Sequence, residues 1–351
     1  MPVHKILVDD FVRMEKDGYL LLDVRSPSEY SHAHIPGAYN LPLFNDEERK
    51  VVGTAYKQQS KEDAIKIGLK YYGPKMVSMV EEIEQLFFQH QYNKNIPLVV
   101  HCWRGGMRSA GVAWLLDLYG FNVFTIIGGY KSYRNWVLKQ FDYTYQFKVI
   151  GGYTGSGKTE VLQGLKQKGF STIDLEGIAQ HKGSAFGAID GQKQPFPEQF
   201  ENILAEELFN HKDDIIWIED ESQRIGDINM PLKLYHNKQA SPIYFMDIPF
   251  EERLDYIVAG YGKKDKAYLV NSIIRIKKRL GGLDTKNAIS FLLEDDLKNC
   301  FSILLRYYDK FYLKGLNSRE NIKDLLYTIP CNGVVVADNI NSLENLLNSQ
   351  K

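Results

Sequence analysis

Cysteine is scarce: 351 residues carry three, Cys102, Cys300 and Cys331, too widely spaced for a disulfide framework or a zinc site. So few thiols suit a reducing compartment, and Cys300 and Cys331 read as small buried residues. Positive charge is not in excess either. The chain has 43 Lys+Arg against 44 Asp+Glu, so any nucleic-acid site has to be a local patch. No apolar run approaches the length of a membrane span. The first segment, "MPVHKILVDDFVRMEKDGYL", has early acids and no long apolar core, which excludes a secretory signal. No internal repeat or low-complexity tract is present. A cytoplasmic protein with no membrane partner is expected.

What is present is a soluble globular composition, 44% hydrophobic and 25% charged, with length enough for two cores. Short β-branched or aromatic runs alternate with longer helical patterns, which predicts an α/β protein with largely parallel sheets. "YLLLDVR" (19–25), "PLVVHC" (97–102) and "FNVFTII" (121–127) read as strands, and "RSAGVAWLLDLYG" (108–120) as a helix stopped by Gly120. A second series opens with the strand "YQFKVI" (145–150) and the helix "KTEVLQGLKQKG" (158–169). "FSTIDL" (170–175), "DIIWIED" (214–220) and "SPIYFMDI" (241–248) follow as strands, and helical patterns dominate from Pro249 to about Leu325. "QPFPEQF" (194–200) reads as a proline-led helix start. The boundary falls near 137–144, giving domains 1–140 and 141–351, the second with a helical C-terminal part.

"GGYTGSGKTE" (151–160) satisfies the phosphate-loop pattern G-x-x-x-x-G-K-[ST] through Gly152, Gly157, Lys158 and Thr159, with Gly155 and Ser156 inside it. It stands between a predicted strand and a predicted helix, where glycine N–H groups and a helix N-terminus can cradle phosphate oxygens. Lys158 adds a point charge, and the Thr159 hydroxyl can ligate Mg²⁺. A partner acid is expected at another strand end, Glu219 or Asp220 in "IIWIEDES". No base-reading motif is present, so ATP, GTP and a non-nucleotide diphosphate all stay open.

"HCWRGGMRS" (101–109) puts a thiol, two arginines and two glycines between a strand and a helix. Arg104, Arg108 and the helix N-terminus lower a thiol pKa from about 8.5. The same donors, with Gly105, Gly106 and Ser109, form an anion cradle beside a nucleophilic Cys102. Asp23 and Arg25 are expected to brace the loop rather than react.

With "LLDVRSPSEYSHAHIPGAYNLP" (21–42) upstream and "IIGGYKSYRNW" (126–136) downstream, residues 5–137 resemble a rhodanese domain. Five residues, rather than the usual rhodanese four, separate Cys102 from Arg108. The same spacing occurs in cysteine phosphatases, so the loop is expected to accept a phosphorylated chalcogen. "FNDEERKVVGTAYKQQ" (44–59), "HKGSAFG" (181–187), "IEDESQRIG" (218–226) and "IKKRLGG" (276–282) extend the likeness, and nearly the whole chain resembles the tRNA 2-selenouridine synthase family. That resemblance implies replacement of sulfur by selenium in the wobble 2-thiouridine of tRNA, with selenophosphate as donor. It also implies an S-geranylated intermediate made from geranyl diphosphate, and a selenophosphate-producing enzyme as functional partner. Cys102 would carry selenium as a selenosulfide or position the selenophosphate, while the phosphate loop would suit the diphosphate.

On "NSIIRIKKRLGG" (271–282), Arg275, Lys278 and Arg279 share a helical face with Lys277 to the side, a candidate contact to RNA phosphates. Lys182 and the "GSAFG" glycines read equally as a lid near the phosphate site or as a plain surface loop. Two other functions fit parts of the pattern: a cysteine phosphatase or arsenate-reductase-like domain fused to a small-molecule kinase, and a nucleotide-gated tRNA-binding module in which Cys102 only packs.

Overall fold

The computed structural model describes residues 3–93, 95–183, 193–261 and 264–349. Residues 184–187 of the glycine-containing segment named above lie outside that set. The chain divides into two compact units: Met1–Gln140 with Glu201–Ile203, and Phe141–Phe200 with Leu204–Lys351.

The first unit is built on five strands: β1 (His4–Ile6), β2 (Leu20–Asp23), β3 (Tyr39–Asn40), β4 (Leu98–His101) and β5 (Val123–Ile126). Their order is β1-β5-β4-β2-β3, every pair parallel. β2 and β4 are buried at every residue, as strands covered on both faces must be, which is why "LLLD" and "LVVH" show no alternation. The register sets Asp23 beside His101. The chain therefore leaves β2 toward Arg25 and β4 toward Cys102 side by side at the carboxyl ends, the usual ligand edge of a parallel sheet. The helix Met107–Tyr119 follows and ends on Gly120, whose φ of 107° is the left-handed stop expected of glycine.

Arg25 turns inward. Its Nε lies 2.9 Å from Asp23 Oδ2 and its Nη2 donates to Ala33 O at 2.7 Å, while the guanidinium stacks 3.9 Å from the centre of the Tyr130 ring. Both members of the pair are buried. Arg25 thus ties the end of β2 to the segment after the following helix, Pro27–His32.

The second unit carries β6 (Gln146–Gly152), β7 (Thr172–Ile173), β8 (Ile215–Glu219), β11 (Ile243–Asp247) and β12 (Leu326–Pro330), parallel throughout in the order β12-β11-β6-β8-β7. Two short strands, β9 (Arg224–Ile225) and β10 (Ile228–Asn229), pair as an antiparallel ribbon. The proline-led helix is Pro197–Asn210. Among the described residues, five helices from Phe250–Tyr261 to Ile322–Leu325 form the expected helical region. The chain then returns to the sheet as β12 and ends in the helix Val336–Ser349, neither of which periodicity announced. Among the described residues no helix is long and apolar enough to cross a membrane.

Removing one member of a buried ion pair strands the other in a low dielectric. Asp23→Ala is therefore expected to lower stability by about 3–5 kcal/mol, read as an earlier unfolding midpoint in urea.

Candidate active site

Cys102 follows β4 directly and is 3% exposed, on the floor of a loop whose residues Trp103–Met107 face outward. Its Sγ lies 3.3 Å from Ser109 Oγ. The loop is held by the next element of the unit. The Tyr130 and Lys131 N–H groups, in the first turn of the helix Gly129–Gln140, donate to Cys102 O and Trp103 O, each at 2.9 Å. Gly105 has a φ of 64°, and a Cβ there would lie 2.6 Å from Ile126 O; on Gly129 it would meet Cys102 O at 2.3 Å. The two backbone stretches touch, and only glycine permits that approach. "IIGGYKSY" is therefore the seat of the cysteine loop.

Burial alone would push the Cys102 thiol up. Hydrogen bonds from the Ser109 side chain and N–H, the Arg108 charge and the Arg104 N–H outweigh it, and the thiol pKa is lowered. Cys300 and Cys331, buried without such partners, are pushed up to about 12 and about 11. All three are free thiols. Arg104 is exposed and Gly106 caps the helix Met107–Tyr119. Arg108 is not a free anion clamp. Its Nη1 donates to Glu29 Oε2 at 2.7 Å, and that carboxylate also accepts from Ser26 N–H at 3.1 Å. Glu29 fixes Arg108 at the loop and spends one edge of the guanidinium, a partner that sits 79 residues away in sequence.

In the second unit β6 runs into the phosphate loop, and the helix Lys158–Gln167 opens behind it with Gly157 at φ 69°. Lys158 folds over the loop, donating from Nζ to Gly152 O at 3.1 Å. Arg253 braces it from outside: its Nη1 donates to Thr154 O at 3.1 Å and to Asp309 Oδ1 at 2.9 Å. Ser156 Oγ is buried without a partner.

The two candidate acids part company. The register sets Glu219 beside Ile150, near the base of the loop. Thr159 Oγ1 donates to Glu176 Oε2 at 3.1 Å, and the Glu176 N–H reaches Glu219 Oε2 at 3.4 Å. Glu219 Oε1 is buried with no hydrogen-bond partner. Asp220, expected as an alternative acidic partner, is instead absorbed by the core. It pairs with Lys238 at 3.4 Å and with Arg319, and accepts from the Tyr312 hydroxyl at 2.7 Å. It reaches the loop through Tyr312, whose oxygen also accepts from Gly152 N–H at 3.2 Å. A buried aspartate this well compensated keeps a lowered pKa despite burial.

Unlike Asp220, Glu176 and Glu219 are both pushed up. Burial first, then the Glu221 charge, push Glu176 up to about 8 against the pull of Lys158. Burial and the charges of Glu176 and Asp174 drive Glu219 well above the ordinary range. The pull of Lys158 does not offset burial and the neighbouring carboxylates. Among the described residues no cluster of three or more His, Cys, Asp or Glu side chains is arranged to hold a metal ion by itself. Arg275, Lys277, Lys278 and Arg279 all lie exposed on the helix Lys266–Leu280, which buries Leu269 and Ile273 on its other side. Lys182 is described; the remaining "SAFG" is not.

A buried, polarised thiol at a parallel-sheet edge, followed in the chain by a phosphate-loop sheet, defines a rhodanese-like domain joined to a P-loop domain. Residues 10–135 match the rhodanese-like domain, and residues 145–325 match the tRNA 2-selenouridine synthase AAA domain. The chain belongs to the tRNA 2-selenouridine synthase family. It is 33% identical to the tRNA 2-selenouridine synthase of Bdellovibrio bacteriovorus over 91% of this chain and 95% of that protein. It is also 33% identical to that of a Sulfurovum species, over 86% and 90%. A third relative, from Nitrosomonas europaea, is 37% identical over 72% of this chain and 66% of its own length.

Because the other two thiols ionise only near 11 and 12, ultraviolet thiolate absorbance isolates Cys102. A single thiol is expected to ionise below the ordinary value of about 8.5, and Cys102→Ser removes that transition. Ser109→Ala withdraws one donor to the anion, so the midpoint moves up, by about one pH unit for a charge-assisted hydrogen bond.

Proposed function

We propose that this chain exchanges sulfur for selenium in the wobble 2-thiouridine of tRNA, in two steps run by its two phosphate-binding sites. In the first, the thiocarbonyl sulfur attacks C1 of geranyl diphosphate. A C–S bond forms, the C–O bond breaks, diphosphate departs, and the base loses its N3 proton to solvent. The phosphate loop suits that leaving group: Lys158, Ser156 Oγ and the loop N–H groups meet it, and Thr159 with Glu219 would hold Mg²⁺. The orphaned Glu219 oxygen and the raised Glu176 and Glu219 pKa values mark a place short of positive charge. Mg²⁺ commonly takes one or two protein ligands and completes its shell with phosphate and water. When bound it would neutralise the leaving diphosphate.

In the second step selenophosphate occupies the Cys102 loop. Thiolate attack on selenium would have to expel phosphorus as phosphite, reducing it. Attack on phosphorus forms an S–P bond and breaks the P–Se bond, releasing selenide with no change of oxidation state. The five-residue spacing from Cys102 to Arg108, shared with cysteine phosphatases, supports the second course, and water then frees phosphate from Cys102. Selenide adds at C2 of the alkylated base, the C–S bond breaks, and the geranyl thiol leaves with a proton. Alkylation is what makes that sulfur a competent leaving group. The exposed Arg275, Lys277, Lys278 and Arg279 serve RNA phosphates.

The observation that carries this reading is the lowered Cys102 pKa within a loop of anion donors, in a chain of this family. Lys158→Ala is expected to cut alkylation of 2-thiouridine RNA by about a hundredfold or more, yet leave selenation of pre-geranylated RNA intact. Cys102→Ser is expected to do the reverse. Mass spectrometry of the RNA reads both, and survival of both steps in either variant overturns the assignment.

A further inference from the structure

Beside the Cys102 loop, the helices Asp46–Gln58, Lys61–Tyr72 and Met107–Tyr119 enclose a groove of about 800 Å³. That volume is in the range of small-molecule pockets, roughly 300–1,000 Å³. Small residues open it: Gly53, Ala64, Gly68 and Gly111 line it, and a Cβ on Gly68 would already stand 3.2 Å from the Phe44 ring. Its walls gather exposed apolar side chains that a folded surface seldom leaves together, Leu69 at 60%, Met107 at 54%, Tyr56 at 54% and Trp114 at 53%. Met107 and Arg108 belong both to this groove and to the cysteine loop. The groove therefore opens beside the Cys102 loop, where the function proposed above sets selenium transfer.

Cations border it. Arg49, Lys50 and Lys57 come from one helix. Arg49 and Lys57 are separated by about 12 Å along the axis at the α-helical rise. Arg49 and Arg108 meet at Glu29, Arg49 Nε lying 3.6 Å from Oε2, while Lys57 stands that span away, so the border offers cations to more than one phosphate of a strand. We propose that the groove binds the apolar chain of an S-alkylated 2-thiouridine presented within RNA, holding the departing thiol's tail while the base faces Cys102. This rests on the two-step function above and deepens it. The groove would separate alkylated from unalkylated RNA before selenium is spent.

The test uses the full chain and two anticodon stem-loop RNAs, one with S-geranyl-2-thiouridine and one with 2-thiouridine. Burying a chain of that size is expected to make the geranylated RNA bind about tenfold tighter or more. Leu69→Glu and Trp114→Glu, both at exposed positions, are expected to erase that preference and to slow selenation of the geranylated RNA by a similar factor. A preference that survives both changes overturns the proposal. So does competition by free geranyl diphosphate as strong as that by geranylated RNA, which would make the free diphosphate the occupant. Conversion of geranylated RNA by the unaltered chain is read in parallel. Its absence defeats the two-step function itself, whereas conversion that the groove variants match defeats only the groove.

Discussion

An anionic sulfur shut away from water is unfavourable unless fixed dipoles replace the lost hydration. Cys102 meets that demand through its backbone. The Ser109 and Arg104 N–H groups and the Ser109 hydroxyl compensate the sulfur, and those groups stay aimed because the loop cannot spread. Tyr130 and Lys131 hold its carbonyls, and Gly105 and Gly129 let the two segments meet at backbone distance. Behind that contact stands the Arg25–Asp23 pair, with Arg25 stacked on the same Tyr130. The chemistry of one atom thus depends on a scaffold contributed by three strand ends.

The second unit poses the opposite electrostatic problem. At its phosphate loop the carboxyl groups of Glu176 and Glu219 are buried with too little positive charge, whereas Asp220, one residue on, has Lys238 and Arg319. Adjacent acids at one strand end therefore divide into one held by two cations and one whose charged form is disfavoured by burial. Tyr312 joins the two regimes, one hydroxyl touching both Asp220 and the loop.

Both glycine-rich loops were legible as sequence because each motif is local: strand, turn and helix lie within a dozen residues, and the spacing carries the chemistry. The long buried strands were legible for the same reason. Partners brought from far along the chain were not. Glu29 reaches Arg108 across 79 positions and Tyr312 reaches Asp220 across 92, and neither position is unusual within its own segment. That Asp220 is paired within the core could not be read without knowing that Lys238 and Arg319 converge on it. Short outer strands escaped for another reason. β1 and β3 have three and two residues, too few for any period, and β12 follows at once on a helical run.

β12 has a bearing on how the molecule is made. It lies at one edge of the second sheet, beside β11, yet arrives only after the five helices between Phe250 and Leu325. During synthesis the first sheet has all its strands once Ile126 has emerged. The second must wait, with one flank of β11 unpaired, until Pro330 leaves the ribosome. The nascent chain thus carries an open β edge through some eighty residues of translation, the interval in which a chaperone has most to protect.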